Sequence, residues 1–316
     1  MKIVVLLYTY NGVDYLGEQL QSILSQDILS KAEIKILVRD DGSNDLTLDI
    51  LDRYQREGKL EFIKGEKIGK TKSFWEILAK AEDADYYAFC EQDDVWFPKK
   101  LSRAITYLET KAILEGDEVD VAVSPLLYMS DFTVTNAKLK PIRFTRNMTL
   151  KYTDFEHSLL YSTMPGSTFV FNASARELML RYDVNTQYAA NYDDLARNIL
   201  YLVGVVVKDH VPSIYLRKNK NDSFYDNYYG GFFGKIKQYL AFISGKNNNA
   251  RSSLAKGLLK TYGEGIEEIE TLESLKQVAN YAEDPIAKER LLMNPKFLTG
   301  SFNDKLLKKA INSNKL

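Results

Sequence analysis

Asp85-Tyr86-Tyr87-Ala88-Phe89-Cys90, followed directly by Glu91-Gln92-Asp93-Asp94-Val95-Trp96, is an apolar run that ends in three carboxylates and a bulky aromatic. The first six residues have the length and aromatic, apolar character of a short buried strand, and Pro98 with Lys99-Lys100-Leu101 reads as the start of a helix. Carboxylates gathered at a strand end repel one another unless a cation, a proton or bound ligand groups compensate them. Oxygen ligands at such a place suit a divalent metal carrying a phosphorylated ligand.

The same strand-then-polar pattern repeats on either side of this run. Ile3 to Tyr8 is β-branched and apolar, Asn11-Gly12 breaks it, and Tyr15, Leu16, Leu20, Ile23 and Leu24 then recur at helical spacing. Ile34 to Val38 predicts a second strand, closed by Arg39-Asp40-Asp41-Gly42-Ser43, with a helix through Leu46, Ile50, Leu51 and Tyr54 capped by Ser43 or Asn44. Leu60 to Ile63 predicts a third strand, Lys72 to Lys80 a helix, Lys99 to about Lys111 another, and Val119 to Ser124 a strand. Such alternation argues for a mostly parallel α/β sheet covered by helices. Ligands of these sheets gather at the carboxyl ends of the strands, where Thr9-Tyr10-Asn11, Asp40-Asp41-Gly42 and the Glu91 to Asp94 run all fall.

Beyond about Tyr128 the pattern loosens: Met164-Pro165-Gly166-Ser167 leads into a Thr168 to Phe171 strand, Asn191-Tyr192-Asp193-Asp194 opens a helix, and Val203 to Lys208 is a further strand. Tyr225, Tyr228 and Tyr229 precede Gly230-Gly231-Phe232-Phe233-Gly234, after which the chain reads as lysine-rich helix to Leu316. The expected division is a catalytic domain over 1–225 and a helical C-terminal region over 226–316.

Several classes are disfavoured. Lys and Arg number 42 against 43 Asp and Glu, for a formal net charge of -1, so no global field argues for nucleic acid. The single cysteine, Cys90, rules out an intrachain disulfide framework and suits a reducing, cytoplasmic setting. The N-terminal apolar run is too short for a secretory signal, and no stretch approaches the roughly 20 apolar residues of a membrane span. Neither a dinucleotide-binding nor a P-loop glycine fingerprint is present, and two histidines, His157 and His210, cannot alone build a zinc site or a serine-type triad.

Four ordered segments, Leu7-Tyr8-Thr9-Tyr10-Asn11-Gly12, Gln19 to Gln26, Arg39-Asp40-Asp41-Gly42-Ser43 and Glu91-Gln92-Asp93-Asp94-Val95-Trp96, resemble glycosyltransferase family 2, which has the Rossmann-like GT-A fold. The Gln92-Asp93-Asp94-Val95-Trp96 version, with Pro165 to Asn172, is most similar to bacterial rhamnosyltransferases of wall and capsular polysaccharide synthesis. The resemblance extends to about Lys220.

It implies an inverting transfer of a sugar from a nucleoside-diphosphate donor to a glycan or lipid-linked acceptor. By similarity, Tyr10 stacks on the nucleobase beside Thr9, Asp41 accepts from the base or the ribose, and Gln92 and Asp93 belong to the nucleotide site. Asp93 and Glu91 occupy the family's metal-binding positions, for Mn²⁺ or Mg²⁺, while Asp94 is expected to cap the helix after Pro98. Relatives carry a His-Asp pair opening a helix, and Tyr192-Asp193 matches it, so Asp193 is the expected catalytic base, with Asp194 in its place if the register slips by one. Gly166, Ser167, Trp96 and Arg217 are assigned to the sugar and acceptor pocket. The relatives' downstream Tyr-Arg-x-His is replaced by Tyr215 to Lys220, leaving Arg217, Lys218 or Lys220 to meet diphosphate charge, or to form a solvated basic loop.

dTDP-rhamnose is the first donor expected and a UDP-hexose the second. Phe232 to Ile243 interleaves aromatics with lysines and fits either an anionic membrane surface, where a lipid-linked acceptor resides, or packing against the catalytic domain or a second subunit of a homodimer. The competing functions are a nucleotidyltransferase, disfavoured because Tyr10 to Asp14 lacks any basic residue, and an inactive glycan-binding scaffold.

Overall fold

The structure, a computed structural model, describes residues 1–114, 123–144, 154–160, 164–186, 188, 190–218, 250–298 and 302–316. In chain order its elements are β1 (Lys2–Thr9), α1 (Leu16–Leu24), β2 (Glu33–Asp40), α2 (Thr47–Arg56), β3 (Glu61–Lys64), α3 (Lys70–Lys80), β4 (Tyr86–Glu91), β5 (Val95–Trp96) and α4 (Lys100–Leu114). There follow β6 (Leu126–Ser130), β7 (Thr133–Thr135), β8 (Pro141–Phe144), α5 (Phe155–Leu160), β9 (Val170–Asn172), α6 (Ala173–Leu180), α7 (Tyr192–Val203), β10 (Val205–Asp209) and β11 (Ile214–Arg217). Among the described residues, the C-terminal helices are α8 (Ala250–Tyr262), α9 (Ile269–Asn280), α10 (Pro285–Met293) and α11 (Phe302–Asn312).

Seven strands form the main sheet in the order β10-β6-β9-β4-β1-β2-β3. All of its pairings are parallel except those of β9, which runs antiparallel to β4 and β6. β1 sits centrally, and Ile3 to Leu7 are each no more than 1% exposed, which is why the strand reads as an unbroken apolar run rather than an alternating one. α1 covers one face through Leu16, Leu20 and Ile23, and α3 buries Phe74, Trp75, Ile77 and Leu78. The register opposes Thr9 to Asp40 and Tyr8 to Glu91, so the three polar strand ends share one edge.

A second sheet, β5-β11-β7-β8, lay outside the sequence reading, because strands of two to four residues carry too little periodicity to register. The strand expected over Val119 to Ser124 falls largely outside the described residues; Val123 and Ser124 lie in a turn, and the strand begins at Leu126. α2 starts at Thr47, after the cap positions expected, and the Asp45 carboxylate takes the Thr47 amide at 2.9 Å.

The C-terminal helices pack on the sheet domain. Tyr262 donates its hydroxyl to Leu178 O at 3.0 Å, Ser274 to Glu156 at 3.0 Å, and Arg251 reaches Asp194 at 3.0 Å. The expected boundary at 225/226 and the Phe232 to Ile243 stretch both lie outside the described residues. Among the described residues no helix is long and apolar enough to cross a membrane.

Candidate active site

The nucleotide-side turn is built by reciprocal ties between strand ends. Gln92 donates its amide to Tyr10 O at 2.9 Å and accepts from Tyr10 N at 2.8 Å, pairing with the backbone as a neighbouring strand would. Gly12 has a physical reason in this clamp, since a Cβ there would collide with the Gln92 side chain. Asn11 N donates to Ser43 Oγ and Asn44 N to the Asn11 side chain, both at 2.9 Å, joining this turn to the one after β2. Tyr10 is left half-buried, with Lys67 Nζ 4.0 Å from its ring centre. Thr9 is buried and donates its hydroxyl to Asp40 at 3.0 Å.

Asp41, expected to accept from the base or the ribose, is engaged by donors of the protein itself. Its carboxylate is fully buried and takes five donors: Tyr8 Oη, Arg39 Nη1, Ile68 N, Gly69 N and Ser73 Oγ. It organises the loop leading into α3, and Gly69 meets it with φ +89, a conformation that favours glycine. Any contact with a nucleotide would require one of those donors to give way.

The acidic run is likewise divided by its surroundings. Glu91 receives the Tyr192 hydroxyl on one oxygen at 2.7 Å and the Lys70 ammonium on the other at 2.6 Å. Burial disfavours its charge, but Lys70 and Tyr192 overcome that and hold the carboxyl below its usual range. Asp93 is half-buried at the same mouth. Asp94 does not cap α4; it is 1% exposed and set against the Ser167 side chain and the Arg217 backbone. Burial first, then the neighbouring Asp93 and Glu91, push its carboxyl well above the usual range.

Three residues assigned to the sugar pocket sit behind this loop instead. Trp96 is 2% exposed, because β5 pairs with β11 and turns the indole inward under the Lys100 ammonium, 4.8 Å from its ring centre. Arg217 is equally buried: it donates to Asp93 O at 2.9 Å, to Ala137 O and to Glu18 at 2.6 Å, fastening the acidic loop to α1 rather than facing open space. Ser167 is fully buried. Gly166 is needed for the Tyr192 ring, since a Cβ there would strike it. Of the other two cations proposed with Arg217, Lys220 lies outside the described residues.

Tyr192 is the residue whose importance the sequence reading missed. Phe74 stacks on its ring with centroids 4.0 Å apart and Phe89 meets it edge-on at 5.4 Å, which aims its hydroxyl at Glu91 and ties α7 to the acidic loop. Burial, then Glu91, raises its pKa well above the ordinary value, so it remains a donor. Next to it, Asp193 is partly exposed at the helix start, whereas Asp194 points inward and is held by Arg197 at 2.6 Å and Arg251 at 3.0 Å. Burial, then the charge of Asp194, pushes the Asp193 carboxyl up to about 7, a suitable value for a base at neutral pH. Lys70, the second residue missed, was signalled only by standing directly after Gly69 at the start of a helix.

A metal shared by Glu91 and Asp93 does not fit this arrangement. Both Glu91 oxygens are engaged by protein donors, one of them a cation, and among the described residues no three His, Cys, Asp or Glu side chains are grouped so as to hold an ion.

An α/β sheet whose parallel strand ends gather carboxylates at one edge belongs to the open-sheet proteins that bind ligands at the carboxyl ends of their strands. The sequence profile described as "Glycosyl transferase family 2" matches residues 4–161, half of the chain, and the chain belongs to that family. It is 32% identical over 116 residues to an uncharacterized glycosyltransferase, alr2836, of Nostoc sp., covering 36% of this chain and 35% of the relative. It is 34% identical over 106 residues to "dTDP-rhamnosyl transferase RfbG" of Shigella flexneri, covering 32% and 36%. The chain thus spans only about a third of the length of these curated relatives. The crystal structure of Staphylococcus aureus TarS 1-349 in complex with UDP-GlcNAc superposes with a TM-score of 0.55 at 17% identity, over 100% of this chain and 93% of TarS 1-349, which shows the shared GT-A fold.

Proposed function

We propose that this chain is an inverting glycosyltransferase that moves a sugar from a nucleoside-diphosphate donor to a glycan or lipid-linked acceptor in bacterial surface polysaccharide synthesis. The observation that carries this reading is Asp193: a carboxylate raised to about 7, joined through Tyr192 to the acidic loop, at the edge where the polar strand ends meet. Asp193 takes the proton of an acceptor hydroxyl as that oxygen attacks the anomeric carbon, and the bond to the diphosphate breaks on the opposite face. Tyr10 offers a ring for the base, and Lys67 and Lys70 supply positive charge along the nucleotide side. Divalent ions are common partners of GT-A transferases, and an Mn²⁺ or Mg²⁺ bound with the donor's phosphates would take its protein ligand from Asp93.

The catalytic domain in this reading is 1–225, with the helices after it bracing α7 through Arg251. The donor favoured is dTDP-rhamnose, on the similarity to RfbG and on the Gln92 to Trp96 motif, with UDP-hexoses second. Thermal shift against a panel of nucleotide sugars, followed by donor turnover, tests the assignment. A shift and turnover with dTDP-rhamnose alone is the expected result. Stabilisation by a UDP-sugar alone overturns the rhamnose assignment, and binding without turnover of any donor supports a glycan-binding scaffold instead.

A further inference from the structure

Glu91 and Lys70 form an ion pair at the cleft mouth. The Lys70 ammonium lies 2.6 Å from one Glu91 oxygen, and Tyr192 holds the other at 2.7 Å. Lys70 remains 45% exposed, so it faces the cleft while it holds Glu91, and its ammonium lies 5.8 Å from the centre of the Tyr8 ring.

A divalent ion on the Glu91 oxygen that Lys70 holds would sit within about 5 Å of this ammonium, and two cations at that distance repel in a partly desolvated cleft. Tyr192 cannot yield the opposite oxygen cheaply, because Phe74, Phe89 and the bare Cα of Gly166 fix its ring. We propose that Lys70 is the resident counter-cation of the acidic cluster and withholds Glu91 from divalent metal, so that Asp93 alone supplies the protein carboxylate for a metal-bound nucleoside diphosphate. Charge compensation that a second metal-ligating carboxylate would otherwise demand is met by the chain itself. The inference rests on reading this cleft as the donor site, but its test needs neither donor nor acceptor.

Mn²⁺ alone is the probe, its binding read from loss of the free-ion electron paramagnetic resonance signal, with circular dichroism checking each fold. Lys70→Met should tighten Mn²⁺ binding about tenfold or more, the scale on which a gained carboxylate and a removed neighbouring charge act. Lys70→Arg should leave binding at the wild-type level, Glu91→Gln in the wild-type background should change it by less than about threefold, and adding Glu91→Gln to Lys70→Met should cancel the gain. No tightening in a folded Lys70→Met protein, or a larger loss on Glu91→Gln alone, overturns the proposal. Should Lys70→Met not fold, the Glu91→Gln comparison decides by itself.

Discussion

Of the three Asp-Asp pairs around the cleft, Asp40-Asp41 after β2 and Asp193-Asp194 at the start of α7 make the clearest contrast, the same dipeptide doing opposite things in the two places. In the first pair both carboxylates are fully buried and saturated: Asp40 takes Thr9 Oγ1, Gly42 N and both the amide and hydroxyl of Ser43, while Asp41 takes five donors. In the second pair only Asp194 is spent in this way, on Arg197 and Arg251, and its charge acts on the neighbour that stays partly exposed. A carboxylate supplied with donors becomes scaffold; one beside a buried charge, short of donors, has its pKa raised.

The sharpest way to break this contrast is Asp193→Asn. It should lower transfer by about a hundred- to ten-thousandfold, the range that general-base catalysis spans, while leaving the fold intact; near-normal kcat would move the base elsewhere. The sign of its stability effect is also fixed. A carboxyl whose folded pKa lies above its unfolded value favours folding when protonated, and that contribution is lost as pH rises through about 7. Asp193→Asn should therefore be as stable as wild type or more so at pH 8, as read by urea unfolding.

Asp194→Ala should show the converse. It strands Arg197, which is 1% exposed, and should cost about 3–5 kcal/mol in the same urea experiment, as breaking a buried ion pair does. Asp41→Ala belongs with it, at about 2–4 kcal/mol for donors left without an acceptor, and the loop before α3 should lose amide-exchange protection at Ile68 and Gly69. Were Asp41→Ala to fold normally and lose only nucleotide affinity, the two pairs would be alike after all.

The pH profile sharpens the comparison without a mutation. Because Asp193 must be ionised to accept a proton, kcat/KM should rise with pH on a single limb centred near 7. A flat profile down to pH 5 would place the base in a carboxylate of ordinary pKa. The smallest effect is expected of Tyr192→Phe, which removes the hydroxyl from Glu91 but keeps the ring packed on Phe74: about 1 kcal/mol of stability and roughly fivefold in rate.

Much of the architecture was legible in the residues before any folding was considered. The repeated strand, break and helix are local patterns, and the placement of Thr9, Asp40 and Glu91 at one edge follows once those strands run parallel. The family motifs brought Tyr10, Asp93 and Asp193 forward, and all three remain partly exposed around the cleft. Trp96, Ser167 and Arg217 were chosen by the same motifs, yet they support the acidic loop from behind, because a motif records which residues lie near a site and not which way each one faces.

The sequence by itself determined the strand-end clusters, since hydrophobic period, Gly and Asn breaks and acidic runs act over a few residues. Only the tertiary structure decided which carboxylates are spent. The donors that settle it come from far along the chain: Lys70 is 21 residues from Glu91, Tyr192 is 101 residues from it, and Arg251 is 57 residues from Asp194. A carboxylate's charge state depends on its burial and on the donors and charges around it, and no local pattern contains those until the chain has closed upon itself.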